Sequence, residues 1–339
     1  MRAVVRTTAV RTTLSALVLA LGVSFAGGVS AQTRLRIAGN FASDHSSSVA
    51  MQQFKKEVES ASKGALVIDV FDNQQLGGAQ ENVTQTRAGT IDMTWVGMAF
   101  LSRTVPELEA VSLPFMFPTR EIAYKVMDGP VVDLIETKMA DKGFTSLGFM
   151  ELGLRQVTNS QKPVKGMADL KGMKIRMQPI ETHLATFRAL GANPIAMDIK
   201  EVYSALDQKV IDGQDNPFAL ILASRFFEVQ KHVSNTGHFF DFIAVAANKK
   251  KFEALPADQQ KILRTAMSNA IAWQRSVSAK ADADALVELQ KKGMTYTEIP
   301  ASERDAMKKA TAHVVDDVKK RLGAPFVDQV LAEVKKAGG

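Results

Sequence analysis

The chain has no cysteine among its 339 residues. That excludes a disulfide framework, a thiol nucleophile and a thioether-linked lipid anchor. Histidine is scarce: His45, His183, His232, His238 and His313 are the only five. None belongs to an H-E-x-x-H or other close ligand pair, so no metal site is expected. A G-x-S-x-G elbow, a phosphate-cradling G-x-x-x-x-G-K and a G-x-G-x-x-G turn are also missing. These absences weigh against an enzyme and against a bound cofactor, although active sites are assembled in three dimensions and need no short motif. An excess of charge is lacking too. The formal net charge is +6, and residues 1–31 hold three arginines and no acids, so the remainder carries +6 − 3 = +3. That is no electrostatic footprint for nucleic acid.

No apolar run is long enough for a membrane-spanning helix, which needs about 20 residues. The nearest, Leu14 to Phe25, follows Arg2, Arg6 and Arg11 and precedes the small residues Val29-Ser30-Ala31. This order is that of a cleaved secretory signal covering residues 1–31, with the cut before Gln32. A soluble protein exported to a bacterial periplasm is the expectation.

What remains is 46% hydrophobic over the whole chain and long enough for about two domains. Leu35-Arg36-Ile37-Ala38, Leu66 to Phe71 and Ile91 to Val96 read as strands. Helical periodicity lies between them, around Met51, Phe54 and Val58 and again around Glu81. This β-α-β-α-β rhythm predicts a parallel sheet with crossover helices. A helix over Glu121 to Met139 and a strand over Thr145 to Met150 follow. Further on, helices are expected over Glu181 to Leu190, Lys200 to Gln208 and Phe218 to Phe227, then extended chain over Val233 to Ala247. Pro256 to Lys292 reads as one helix, opened by Pro256-Ala257-Asp258 and stopped by Gly293. At 1.5 Å per residue it outruns one small domain.

The most informative stretch runs from Asp169 to Pro217. Met173, Ile175 and Met177 alternate with Lys174, Arg176 and Gln178, the period of a half-buried strand. Arg176 falls near the strand's end, where open α/β sheets carry their clefts, and its planar fork matches a carboxylate two bonds at a time. A solvated strand arginine is the plainer alternative. The order Asp169-Leu-Lys-Gly-Met-Lys-Ile-Arg176, then Asp198 to Leu206, then Asp212-Gly-Gln-Asp-Asn-Pro217 resembles the solute-binding proteins of TRAP transporters, the DctP-like family. Gly153-Leu-Arg155-Gln-Val-Thr-Asn159, Gln75-Leu-Gly-Gly78 and Gly89-Thr-Ile-Asp-Met93 resemble further segments of that family in the same order.

The resemblance implies an α/β periplasmic binding protein fold of two lobes, with a ligand cleft between them and the long helix spanning both. The lobes are expected at 34–152 plus 242–280 and at 153–241 plus 281–339. It implies a monomeric receptor, not an enzyme, that captures an organic acid and delivers it to the small and large TRAP membrane subunits. Arg176 matches the family's carboxylate clamp, Arg155 its assistant, and Asn216 an asparagine that bonds the ligand. By the same analogy Asn40 and Trp95 face the cleft, Met98 and Ile199 line it, and Glu81 and His45 stand by for hydroxyl groups. Gly97 departs from the sialic-acid-binding members, which carry an acidic residue there, so a smaller acid is expected. Two other classes stay open on the residues alone: a secreted α/β enzyme acting on a small carboxylic acid, and a binding protein serving an ABC transporter or a chemoreceptor. If residues 1–31 are a cleaved leader, N-terminal sequencing of periplasmic material will start at Gln32; a start at Met1 overturns it.

Overall fold

The computed structural model describes residues 32–339. The expected leader lies outside them. Two mixed sheets organise this region. The first contains β1 (Thr33–Gly39), β2 (Leu66–Phe71), β3 (Met93–Gly97), β4 (Phe144–Leu154) and β10 (Phe240–Asn248), in the order β2-β1-β3-β10-β4. The second contains β5 (Gln156–Asn159), β6 (Lys174–Met177), β7 (Asn193–Ala196), β8 (Gly213–Asn216), β9 (His232–Asn235) and β11 (Thr295–Glu298), in the order β11-β9-β5-β8-β6-β7. Strands β1, β2 and β3 pair in parallel, as the alternating rhythm predicts, and β10 enters antiparallel between β3 and β4. The two-lobe α/β fold is therefore as expected.

Both faces of the first sheet are covered. Successive residues of a strand point to opposite sides. In β10, Phe242, Ala244 and Ala246 join one apolar cluster, whereas Ile243, Val245 and Ala247 join the other. A strand buried on both faces needs such an unbroken apolar run. The chain crosses between sheets where β4 runs into β5 and where β9 runs into β10. Arg155 N–H donates to the Phe239 carbonyl at 2.8 Å, tying the two crossings together. Just before the first of them Gly153 has φ +116°, a left-handed conformation in which a side chain would be strained.

The long helix spans Ala257–Lys291, 35 residues or about 50 Å. Leu263, Met267 and Ala270 pack on the first sheet's cluster, while Ala285 and Leu289 pack on one of the second's. It thus bridges the lobes. Gln274 fastens its middle: Oε1 accepts from Glu151 N–H and Nε2 donates to Glu151 C=O, each at 2.9 Å. One buried side chain so satisfies both backbone groups of a residue in β4.

Three differences from the sequence reading have local causes. The expected helix over Glu121 to Met139 is two helices, Arg120–Met127 and Pro130–Asp141. Pro130 has no N–H to extend the first of them and is well suited to start the second. The helix from Phe218 stops at Ala223, and Arg225 takes a left-handed φ of 56° before a short 3-10 turn. Residues 281–339 do not all join the second lobe. Val327, Val330 and Val334 of the terminal Ala324–Ala337 helix bury into the first sheet's cluster beside Val126 and Ile135. Their apolar stripe at helical spacing finds its partner surface there, not on the nearer-in-sequence β11 lobe. Among the described residues no helix is long and apolar enough to cross a membrane.

Gln274→Leu leaves Glu151 N–H and C=O buried and unpaired. We expect unfolding in urea to show a loss of about 2–5 kcal/mol, with an unchanged m-value.

Candidate functional site

Arg176 lies in the third position of β6, paired with Ile195 of β7 and Gln214 of β8. Lying between β8 and β7, it is 1% exposed, not solvated. Nε and Nη2 both donate to the Met197 carbonyl, at 2.9 and 2.7 Å. A guanidinium has five N–H donors, so this fixes one edge and leaves three free. Nη1 is buried and has no partner. Burial pulls the Arg176 pKa down to about 10, the Asp215 carboxylate opposing and the Arg155 charge adding to the fall. The group remains a cation at neutral pH.

Around it closes a small cavity, with about 10 Å³ open to a water molecule, lined from the first lobe by Asn40, Phe41, Gly97 and Phe100 and at the crossing by Leu152. From the second lobe come Arg176, Gln178, Ile199, Asn216 and Leu220. Two amide oxygens in this wall, Asn40 Oδ1 and Gln178 Oε1, are buried without partners, like Arg176 Nη1. Buried polar atoms are nearly always hydrogen-bonded, so three orphans in one cavity mark a place built to bond something. Asn216 is held by a chain of amides. Its Nδ2 donates to Gln214 Oε1 at 2.5 Å, Gln214 Nε2 to Thr158 Oγ1 at 2.9 Å, and Thr158 Oγ1 to Gln230 Oε1 at 2.8 Å. Ile199 opens the Ile199–Asp207 helix and is 8% exposed.

Four of the expected residues, Arg176, Asn216, Asn40 and Ile199, are thus brought together. Five are not on this wall. Arg155 is fully buried, and each of its guanidinium nitrogens bonds within the protein. Nε and Nη2 grip the Asp215 carboxylate at 2.6 and 2.9 Å, Nη2 also reaches the Asp215 carbonyl, and Nη1 reaches Asp241 at 3.2 Å. His238 Nε2 completes the cluster, 2.9 Å from Asp215. Burial pushes Asp215 up, but the Arg155 charge and hydrogen bonds outweigh it and hold the carboxyl well below its ordinary range. Arg155 thus sits in a buried ion pair and does not line the cavity. Trp95 is packed against the backbone of Gly39, where a Cβ would sit 2.3 Å from the indole, and Met98 belongs to the core beside Gly97. His45 caps the Ser46–Ala61 helix through Ser47 N–H and stacks on Phe41 at 4.8 Å, behind the wall. Glu81 is exposed and accepts from Gln85, one turn on.

Gln178 is the polar residue that sequence reasoning leaves out. Its signal is its place two residues after Arg176, on the same side of the strand. Phe41, Phe100, Leu152 and Leu220 carry no such signal, since an apolar wall residue reads like core.

A two-lobe α/β fold closed over a buried arginine is the architecture of solute receptors. The chain belongs to bacterial extracellular solute-binding protein family 7, DctP, which it matches over residues 37–321. It is 35% identical to the 2,3-diketo-L-gulonate-binding periplasmic protein YiaO of Escherichia coli over 270 residues, 80% of this chain and 82% of that one. It is 30% identical to the C4-dicarboxylate-binding periplasmic protein DctP of Rhodobacter capsulatus over 282 residues, 83% and 84% of the two chains. The sugar acid binding protein DctPAm of Advenella mimigardefordensis, solved with galactonate, superposes with a TM-score of 0.88 at 30% identity, covering 91% of this chain and 99% of that one.

Arg155→Met strands Asp215 and Asp241 in a dry interior. We expect a loss of about 3–5 kcal/mol in chemical denaturation, the range for removing one member of a buried charge pair.

Proposed function

We propose that this chain is the periplasmic solute-binding component of a TRAP transporter. It captures a small hydroxylated carboxylate through the free edge of Arg176 and delivers it to the membrane subunits. The observation that carries the reading is the orphaned Arg176 Nη1 in the interlobe cavity. With Met197 holding one edge, the Nη1–Nη2 edge is left to meet a carboxylate with two parallel bonds. The orphaned oxygens of Asn40 and Gln178 call for donors, and hydroxyl groups supply them. A second carboxylate finds no further cation on this wall, so a hydroxy acid fits better than a C4-dicarboxylate.

Capture follows from hinge closure, a motion known for periplasmic binding proteins. With the lobes apart, Arg176 is hydrated. As they close, water leaves, and the same ion pair strengthens in the lower dielectric. The two strand crossings and the long helix are the connections that bend. No bond in the ligand is made or broken. The exported, monomeric state and the cleavage of residues 1–31 belong to the same reading.

Calorimetry with D-galactonate, 2,3-diketo-L-gulonate and succinate tests it. Saturable binding of a hydroxy acid, tighter than succinate and recovered unchanged in mass, is the expected outcome. Turnover, or preference for succinate, overturns it. Arg176→Lys keeps the charge but loses the fork, and affinity for the bound acid is expected to fall roughly 30-fold or more. Arg155→Lys, outside the cavity, is expected to cost less in binding than in stability.

A further inference from the structure

Asp198 stands at the N-cap of the Ile199–Asp207 helix in the second lobe, and its Oδ1 accepts from Lys200 N–H at 3.2 Å. Its other oxygen, Oδ2, accepts from Gln80 N–H at 3.2 Å. Gln80 is the second residue of the Ala79–Ala88 helix, which packs on β1, β3 and β10 of the first lobe. One carboxylate therefore serves the second-position amide of two helices, one in each lobe.

The first-lobe helix is made to receive it. Its N-cap is Gly78, which has no side chain to satisfy the first-turn amides. Helix starts leave such donors open and carry a positive partial charge, so a carboxylate is the acceptor that suits them. A Cβ at Gly78 would lie 2.8 Å from Asp198 Oδ1 and 2.9 Å from its Cγ. Gly78 has φ −68°, which any residue adopts. Its lack of a side chain is thus required by the approach of the other lobe, not by its own backbone.

Asp198 is also placed to sense the cavity. Its predecessor Met197 gives the carbonyl that Arg176 grips, and its successor Ile199 lines the cavity wall. We propose that Asp198 is an interlobe latch and positioning residue. Closure brings its carboxylate onto the empty cap of the Ala79–Ala88 helix, and through Met197 and Ile199 this contact holds Arg176 and the cavity roof in place, slowing release of the solute. The link to release rests on Arg176 being the ligand's clamp. The contact between lobes does not.

Two measurements keep those apart. The chain has no cysteine, so a Gly78→Cys/Asp198→Cys variant contains the only two thiols. A Cβ at 78 meets the side chain at 198 within contact distance, the close approach that a disulfide requires. Mild oxidation is expected to give a cross-linked monomer, seen as a mobility shift without reductant. If none forms while the variant melts like wild type, the latch is wrong. The second measurement is stopped-flow binding of D-galactonate. Asp198→Asn keeps a good cap for its own helix but loses the negative charge at the other. Release is expected about 2–30-fold faster, with association within about 2-fold. Gly78→Ala should hold the lobes apart and weaken binding further, and adding Asp198→Ala should recover part of that loss. Unchanged release in Asp198→Asn, or strictly additive losses in the double variant, overturns the latch. If D-galactonate does not bind even the wild type, the hydroxy-acid reading fails, and the cross-link still decides whether Asp198 meets Gly78.

Discussion

The structure depends on keeping Arg176 charged in a place with almost no water. An isolated cation taken from water into a protein interior costs several kcal/mol, and Arg176 has no carboxylate bonded to it. Two things make the cost tolerable. The Met197 carbonyl accepts two of its hydrogens. The Asp215 carboxylate acts from a distance, although Arg155 takes its bonds. The rest is left open on the cavity side. On the proposed reading a solute carboxylate removes the remaining deficit, and the same incomplete compensation that lowers the stability of the unliganded protein favours binding. Filling the site with a built-in acid would stabilise the fold and abolish the receptor.

The Arg155 cluster makes this arrangement possible. Asp215 stands in β8 next to Asn216, and Asp241 lies in β10, so the ion pairs connect both sheets at the strand crossing. Ser112 links Asp241 and His183, at 3.0 and 2.9 Å, and carries the network into the loop of the first lobe. Each guanidinium nitrogen of Arg155 has a partner within the protein, whereas Nη1 of Arg176 has none. Satisfied polar networks rigidify and unsatisfied ones seek ligands. The contrast separates two arginines that look alike in the sequence.

That likeness explains what could be read early and what could not. The strand alternation around Arg176, the Asp-Asn-Pro that ends β8 and the ends of β1 and β3 are local patterns, and the parallel pairing of β1, β2 and β3 follows from such patterns. The carboxylates that claim Arg155 lie 60 and 86 residues further along the chain. No spacing rule reveals such a pairing, so an arginine near a strand end reads as a cleft residue in either case. Glu81 and His45 stay off the cavity wall for a related reason. Each has a local partner, Gln85 and Ser47, and the helix positions that make them conspicuous also satisfy them. The terminal helix has a clear apolar stripe, but a stripe does not say which lobe will cover it.

Gly97 and Gln178 show how specificity enters such a frame. They belong to different lobes, and a Cβ at Gly97 would come within 3.0 Å of Gln178 Nε2. An acidic side chain at 97 would occupy the space that the glutamine amide now takes, so the two positions compete for one volume. With glycine in the first lobe and glutamine in the second, the wall opposite Asn40 is a neutral amide. It can accept from a hydroxyl or donate to one by rotating, and it brings no charge into the cavity. A carboxylate at 97 would instead offset Arg176 directly, leaving less to gain from a ligand's own acid group. On the proposed reading, the polarity of the ligand is therefore governed by which lobe fills the gap, while Arg176 sets its charge.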